Sequence, residues 1–413
     1  MRHERLLALL LTLHGVAGGA PLPTSAASPC AQSVLEDDTL QTGSDAFEWG
    51  GVAEARLLML RPEGLGSSEL RHGVLRLNVA QPLSSSSRLV AQAQAEWLDA
   101  SEASALALVP SALAQIDRAL PLVYSRDRAT RRYNLGWDWL YWQRSGAAGR
   151  ITLGRQPIAT SIGKIWSPAD TLAPFHPSDL ERLYKPGVDA LQLAAYVAEG
   201  STLNGIVSVR RVEGELQWKW QQRLELDRPW GKAALMLGGR HGQRIAGAAL
   251  QVNDVVGSDL YGELLWHRAA SPAPVLQDRQ REGLRAILGA SRHLASDTTA
   301  TLEYFRQSDG QSDPAHYVDH ARSAAATDLP FMGMGRHYLG FSLNTQLHPL
   351  LALDAIVLAN LSDHSASATA ALAYTPLPNL KLRASLALPI AGRPTSEYRS
   401  AGAALQVGLQ SFF

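Results

Sequence analysis

Polar and apolar residues alternate one by one through long stretches of this chain, and no other feature restricts its fold so strongly. Leu216, Trp218, Trp220, Leu224 and Leu226 share one parity, while Gln217, Lys219, Gln221, Arg223 and Glu225 take the other; Gln222 is the one polar residue on the apolar side. The pattern recurs in Leu75-Arg76-Leu77-Asn78-Val79, and in Tyr133, Leu135, Trp137, Trp139 and Tyr141 against Asn134 and Asp138. Leu380, Leu382, Ala384, Leu386 and Leu388 likewise oppose Lys381, Arg383 and Ser385. A strand turns successive side chains to opposite faces, so each stretch has an oily face and a wet one.

A soluble sandwich alternates too, and length separates the two cases. These runs last about 9 to 13 residues, whereas strands of soluble domains usually last about 5 or 6. A tilted strand needs about 9 to 11 residues to cross a bilayer core. In hydrocarbon every backbone donor and acceptor must be paired, and a closed barrel is the β solution. The pattern therefore predicts an all-β fold, a closed antiparallel transmembrane β-barrel of about eighteen strands. The strands start near Phe47, Leu70, Arg88, Arg132, Gly149, Val188, Thr202, Glu215, Gly231, Arg244, Ser258, Gly283, Thr298, Arg336, Leu350, His364, Asn379 and Gly402. Without the two weakest, near Thr202 and Arg244, the count is sixteen; either way both ends lie on the periplasmic side.

The connections sort by parity. Counted from a periplasmic start, the periplasmic turns Ser145–Ala148, Glu199–Ser201, Arg228–Trp230, His348-Pro349 and Thr375–Pro378 are all brief. The long connections Asp99–Arg131, Ile158–Gly187, Ala269–Glu282, Ser308–Gly335 and Ile390–Ser400 all fall on the external side. Short periplasmic turns and long external loops are the habit of outer-membrane barrels.

The N-terminus reads as an export signal. Arg2 and Arg5 precede the apolar run Leu6 to Val16, which is too short to span a bilayer as a helix, and Ser25 and Ala27 suit cleavage after residue 27. Cys30 follows Ala27-Ser28-Pro29, a poor lipid-attachment sequence. Residues 28–45 then form a short periplasmic lead, and 46–413 the barrel. With one cysteine the chain has neither an intrachain disulfide nor a Cys-x-x-Cys-His haem site. Its 38 basic and 38 acidic residues cancel, so no nucleic-acid footprint appears.

The segment Gly154-Arg155-Gln156, followed by Trp166-Ser167-Pro168-Ala169-Asp170 and Lys185-Pro186-Gly187-Val188-Asp189, resembles a group of porin-like bacterial outer-membrane proteins. Relatives in that group tend to carry Trp-Gly where Thr160-Ser161 stands here. The resemblance covers about forty residues, and what it implies is a pore without a particular solute and, by analogy with porins, a homotrimer as an open option. The last strand, with Ala403, Leu405, Val407, Leu409 and Phe413 on one stripe, resembles the closing strand of such barrels, whose terminal Phe is read by the barrel-assembly machinery; Ser411 interrupts the stripe.

The loop 158–187 has local structure of its own. Ser167-Pro168-Ala169-Asp170 and Ser178-Asp179-Leu180-Glu181 carry helix-capping patterns, and Lys185-Pro186-Gly187 suits a turn. A loop with such order packs on something, and the barrel interior is the surface available. Lys164, Asp170, Asp179, Glu181, Arg182 and Lys185 are therefore the candidates for a pore constriction; the competing reading is a lid on the outer rim. Arg76, Arg150, Lys219, Arg223, Arg285, Lys381 and Arg383 are the candidate wall cations, against Glu96, Asp138, Glu225, Glu263 and Asp354, which predicts a mild anion preference.

Other constellations carry less. His316 and His320, with Asp313 and Asp319, lie in a polar loop without a helix to align them as metal ligands. Arg126, Arg128, Arg131 and Arg132 form a basic run at the outer rim that suits lipopolysaccharide phosphates or plain hydration. Alternation sends Trp137, Trp139 and Tyr141 to the lipid face, as an aromatic girdle, and Trp142 to the lumen. No nucleophile–base pair and no nucleotide loop has a defensible spacing. The expectation is thus a non-enzymatic, cofactor-free channel for small hydrophilic solutes in the outer membrane, touching its lipid and lipopolysaccharide. A barrel that sheathes a partner complex and a barrel hydrolase are the alternatives.

Overall fold

The computed structural model describes residues 47–63, 66–103, 117–178, 180, 184–212, 214–240, 242–268, 282–295, 297–317, 329–330 and 332–413. The export signal, the lead to residue 45, and Asp179, Glu181, Arg182, Asp319 and His320 lie outside them.

Among the described residues there are nineteen strands: β1 (Glu48–Arg61), β2 (Ser68–Ser84), β3 (Ser87–Ala100), β4 (Val123–Arg128), β5 (Arg131–Gly146), β6 (Gly149–Pro157), β7 (Gly187–Ala198), β8 (Ser201–Val212), β9 (Glu215–Arg228), β10 (Gly231–Arg240), β11 (Arg244–Val252), β12 (Asp259–Arg268), β13 (Glu282–Ala295), β14 (Thr298–Gln307), β15 (His337–His348), β16 (Leu351–Asn360), β17 (Ser365–Leu377), β18 (Leu380–Ala391) and β19 (Ala403–Phe412). All but β4 close one antiparallel ring, in which β1 pairs with both β2 and β19. Along the ring the ladders leave no open edge except at one seam above the β5–β6 pairing. Among the described residues no helix is long and apolar enough to cross a membrane.

The eighteen expected starts each fall within two residues of an observed strand, including the two weakest, which are β8 and β11. The short connections 85–86, 147–148, 199–200, 229–230, 349–350 and 378–379 lie at one end of the barrel, and the five long ones at the other. Val52 to Arg61 pair residue by residue with Phe412 to Ala403, closing the ring. Phe413 continues the closure: its backbone N–H and C=O bond Gly51 at 3.1 and 2.8 Å. A side chain at Gly51 would put its Cβ 2.5 Å from the Phe413 ring, so only glycine fits beneath it.

The outward face is a belt of exposed Leu, Val, Trp and Tyr, from Leu135 and Trp137 through Trp218, Trp220, Leu235 and Leu288 to Leu386 and Val407. An apolar surface of this extent calls for a nonpolar solvent. One expectation about it fails. Trp137 faces out as alternation requires, but Asp138 is an extra residue: Ala93 pairs with Trp137 and Gln92 with Trp139. Such a bulge reverses the parity of the residues beyond it. Trp139 consequently turns inward, where its Nε1–H donates to Lys185 O at 2.9 Å. Tyr141 goes inward with it, and Trp142 pairs with outward-facing Leu89.

The bulge also marks a seam. Below it, Leu140–Gly146 pair with β6; above it, Arg131–Gly136 pair with β4 instead. The stretch 117–122 leads into β4 and bridges the gap to β7 and β8, with Asp189 N–H on Asp117 O (2.8 Å) and Arg211 N–H on Arg118 O (3.1 Å). Arg155, 1% exposed, fills the seam. It grips Asp189 through two bonds of 2.7 and 3.0 Å and donates to the carbonyls of Trp137 and Leu120. Asp189 in turn accepts the backbone N–H groups of Ala119 and Leu120, both at 2.7 Å. The Gly-Arg-Gln and Gly-Val-Asp motifs thus serve here to lock a wall joint.

Candidate functional site: a loop folded into the lumen

The loop 158–186 leaves the top of β6 and turns into the barrel, where wall carboxylates receive its amides. Glu303 on β14, fully buried, accepts the backbone N–H groups of Lys164 (3.0 Å), Ile165 (3.2 Å) and Trp166 (2.7 Å) as well as the Tyr261 hydroxyl (2.6 Å). Glu263 on β12 does the same for Ile162 N (3.0 Å) and Ala169 N (2.7 Å), and accepts the Ser161 hydroxyl at 2.7 Å. A loop has no ladder of its own for these donors, and a buried unpaired amide costs about 1–3 kcal/mol. The two carboxylates supply what a strand neighbour would.

Opposite charges grip the loop carbonyls from the other side. Lys219 Nζ donates to Thr171 O and Arg223 Nη1 to Thr160 O, both at 2.6 Å, and Gln221 Nε2 bonds the Thr171 hydroxyl at 2.5 Å. Within the loop, Lys185 bonds Asp170 and, at 2.6 Å, Ala173 O, and its ammonium lies 5.1 Å from the centre of the Phe175 ring.

Apolar packing completes the attachment. Trp166 stacks on Phe305 at 5.5 Å and leans on Tyr338 at 5.7 Å. Ile162, Ile165, Tyr261, Ile287, Met332, Ile356 and Leu358 join them in one buried cluster. Gly340 makes room: its Cβ would stand 2.7 Å from the Trp166 ring. The strands β10 to β16 therefore have apolar side chains on both faces, lipid outside and loop within.

Other external segments are tied to this packing. Arg285 joins Asp309 (2.7 Å) and Pro330 O (2.6 Å), and Gln307 Nε2 bonds the carbonyls of Gly333 and Gly335. The short helix α1 (Glu397–Ala401) brings Glu397 over the cluster. Its carboxylate accepts Met334 N–H (3.1 Å), the Tyr338 hydroxyl (2.6 Å) and Asn360 Nδ2–H (2.7 Å). Burial pushes this carboxyl up to about 6, against the lowering effect of those three donors. Asp363 backs it, accepting Glu397 N–H at 2.8 Å and the Tyr317 hydroxyl at 2.9 Å.

What stays accessible to water is the opposite wall. Arg56 on β1, Arg76 on β2, and Lys381 and Arg383 on β18 face inward around β19. Arg56 and Arg383 both lie beside Gly408, which has no side chain to part them. Three carboxylates share this strip: Glu54, bonded to Arg56, Asp354, 3.6 Å from Arg383, and Glu96 on β3, which meets His72 at 2.9 Å beside Arg76. Four cations against three acids leave it slightly positive. Arg76 reaches across to the loop, its guanidinium 4.6 Å from the Tyr184 ring centre.

The expected residues divide accordingly. Arg76, Lys381 and Arg383 do form part of a basic wall, and Arg150 faces inward on β6 in register with Ala194. Lys219, Arg223 and Arg285 do not line open water; each is less than a tenth exposed and is spent on loop carbonyls and carboxylates. Asp170 and Lys185 neutralise each other inside the loop rather than facing the passage, because an ion pair removed from water must be closed. Lys164 is half-buried at the turn held by Glu303. Glu303 was not among the sequence candidates, and neither was Arg56. The available signal was the breakdown of alternation around Glu303, where Phe305, Tyr338 and Ile356 put apolar bulk on the wet face.

No family model matches this sequence, and no curated protein sequence matches it. Solved structures do. A BenF-like porin from Pseudomonas fluorescens Pf-5 superposes with a TM-score of 0.56 at 10% identity, over 89% of this chain and 98% of the porin. Acinetobacter baumannii OccAB4 gives 0.55 at 9% identity, over 90% and 99%. Pseudomonas aeruginosa OpdK, solved with vanillate, gives 0.54 at 12% identity, over 89% and 98%. At such identities the likeness establishes the fold: the chain has the eighteen-stranded barrel of these outer-membrane proteins.

Proposed function

We propose that the chain is an outer-membrane porin through which small hydrophilic solutes diffuse passively. The observation that carries this reading is the 158–186 loop, held inside the barrel by Glu263 and Glu303 and facing a basic strip on the far wall. A barrel built only as a support has no use for an inward loop whose amides are individually received. The passage left between loop and strip selects by size and charge.

The strip sets the sign. With Arg56, Arg76, Lys381 and Arg383 outnumbering Glu54, Glu96 and Asp354, small anions are mildly favoured over cations. Vanillate, the aromatic carboxylate found with OpdK, is a compound of the size and charge to try first. Lys164 completes the constriction from the loop side. The chain enters the membrane through the barrel-assembly machinery, which reads the strand ending at Phe413.

Two recordings on the purified chain in planar bilayers test this. In a salt gradient the reversal potential takes the sign of anion preference, and K381Q/R383Q moves it towards zero; a cation-selective wild type refutes the charge assignment. Deletion of Ser167–Arg182 raises single-channel conductance several-fold, and unchanged conductance and selectivity refute the constriction.

A further inference from the structure

On the outward face of the external rim, two arginines stand directly opposite each other. Arg244, at the start of β11, is the register partner of Arg268, at the end of β12, and both are exposed. Their parity is that of Leu250 and Leu264, which face the apolar belt. Like charges directly opposed destabilise a strand pair. Among the described residues neither guanidinium is within ion-pair distance of a carboxylate, although Glu282 on β13 is the other register partner of Arg268.

The charge continues around the rim. Arg306, at the end of β14, is exposed and opposes His337 on β15. Arg306, Arg336 and His337 line one open notch with Glu282, Gln307 and Ser308. Among the described residues Glu282 is the one acid lining it, and its Oε1 already accepts Trp266 Nε1–H at 3.0 Å. Arg336 Nε donates to Gly310 O at 2.8 Å, and His337 Nδ1 meets the Tyr304 hydroxyl at 2.6 Å.

The aromatics fix the height of this row. Trp266 precedes Arg268 by two residues on the same face, and Tyr304 precedes Arg306 in the same way. Outward Trp and Tyr at a barrel's rim mark the membrane–water boundary. Two residues of strand advance about 7 Å, so the cations stand at the level of headgroup phosphates. The opposite arc differs: there Arg131 pairs with Asp99 and Arg132 with Asp127, both at 3.2 Å, so its own acids neutralise half of that four-arginine run.

We propose that Arg244, Arg268, Arg306, Arg336 and His337 form a docking surface for the phosphate groups of an anionic glycolipid in the outer leaflet. Guanidinium forks bind phosphate bidentately, and a phosphate between Arg244 and Arg268 turns their repulsion into two charge-assisted contacts. The acyl chains of such a lipid run down the belt beneath, past Trp266 and Tyr304. This inference rests on placing the barrel in an outer membrane but not on conduction, and the two fail separately.

Native mass spectrometry of the full chain in detergent tests it, with three probes: a bis-phosphorylated diglucosamine lipid, its dephosphorylated form, and inorganic phosphate. The wild type binds the phosphorylated lipid at least tenfold more tightly than the dephosphorylated one, and R268Q/R306Q loses that preference. R268K/R306K keeps most of it, as does R131Q/R132Q on the other arc. Equal binding of the two lipids by the wild type, which needs no variant to fold, overturns the proposal. So does an undiminished preference in R268Q/R306Q. Saturation by inorganic phosphate without lipid preference reassigns the row to a free anion and also overturns it. R268Q/R306Q conducts like the wild type in bilayers, so loss of lipid and loss of channel are read independently.

Discussion

Replacing Glu303 by Gln tests whether the inward loop is held by a single buried carboxylate. The carboxylate accepts three loop N–H groups and one hydroxyl while fully buried. Glutamine keeps the shape but offers one acceptor oxygen, and its amide group presents two further donors to the same site. About two charge-assisted bonds are lost, each contributing roughly 1.5–3 kcal/mol. The relief of no longer burying a charge offsets part of this, leaving a net cost of about 3 kcal/mol. A cost of that size moves the docked-to-undocked ratio of residues 162–166 by more than ~100-fold. The barrel ladder is untouched, so heat resistance and β-type circular dichroism stay as in the wild type. Single-channel recording of E303Q then shows larger and noisier openings, and hydrogen exchange shows lost protection at Lys164, Ile165 and Trp166. Wild-type conductance together with wild-type protection at those amides refutes the tether.

Two further perturbations come from the geometry. R155A leaves Asp189 buried without its partner in the wall seam, which costs about 3–5 kcal/mol and lowers the unfolding midpoint in denaturant; R155K recovers little, because a lysine cannot make the paired contact. The loop joint at Glu397 responds to pH. Its folded carboxyl titrates at about 6, above an ordinary glutamate, so the folded joint binds a proton more tightly than the opened one. Stability from this group is present below about pH 4.5 and is lost as pH rises through 6, an effect of about 2 kcal/mol. Exchange at Met334 N–H, corrected for its intrinsic rate, is accordingly slower at pH 5 than at pH 7.5, and E397Q removes the difference; protection that increases with pH contradicts the assignment.

The wall was legible in the sequence because a strand between lipid and water repeats one simple rule every two residues. That rule located β8 and β11 despite their weak signal, and it placed the long connections at one end. It misled at Trp139 and Tyr141, since nothing local announces that Asp138 is an unpaired extra residue; the register of β3 decides it. The lumen was less legible for a related reason. Lys219, Arg223 and Arg285 sit on the wet face as alternation says, yet the wet face is covered there, and what covers it is a loop distant in sequence. The apolar residues Phe305, Tyr338 and Ile356 on that face carried the clue. Charge on the loop itself was misread because Asp170 and Lys185 are fifteen residues apart and close on each other only through the fold.

The central claim is a loop-narrowed aqueous path through a closed barrel. Its most direct test is single-channel recording of the refolded wild-type chain in a planar bilayer. Discrete conducting steps, smaller than those of the Ser167–Arg182 deletion and larger for anions than for cations, are the result the proposed reading predicts. A correctly folded, membrane-inserted barrel that passes no ions in either form contradicts it and leaves a sealed support in its place.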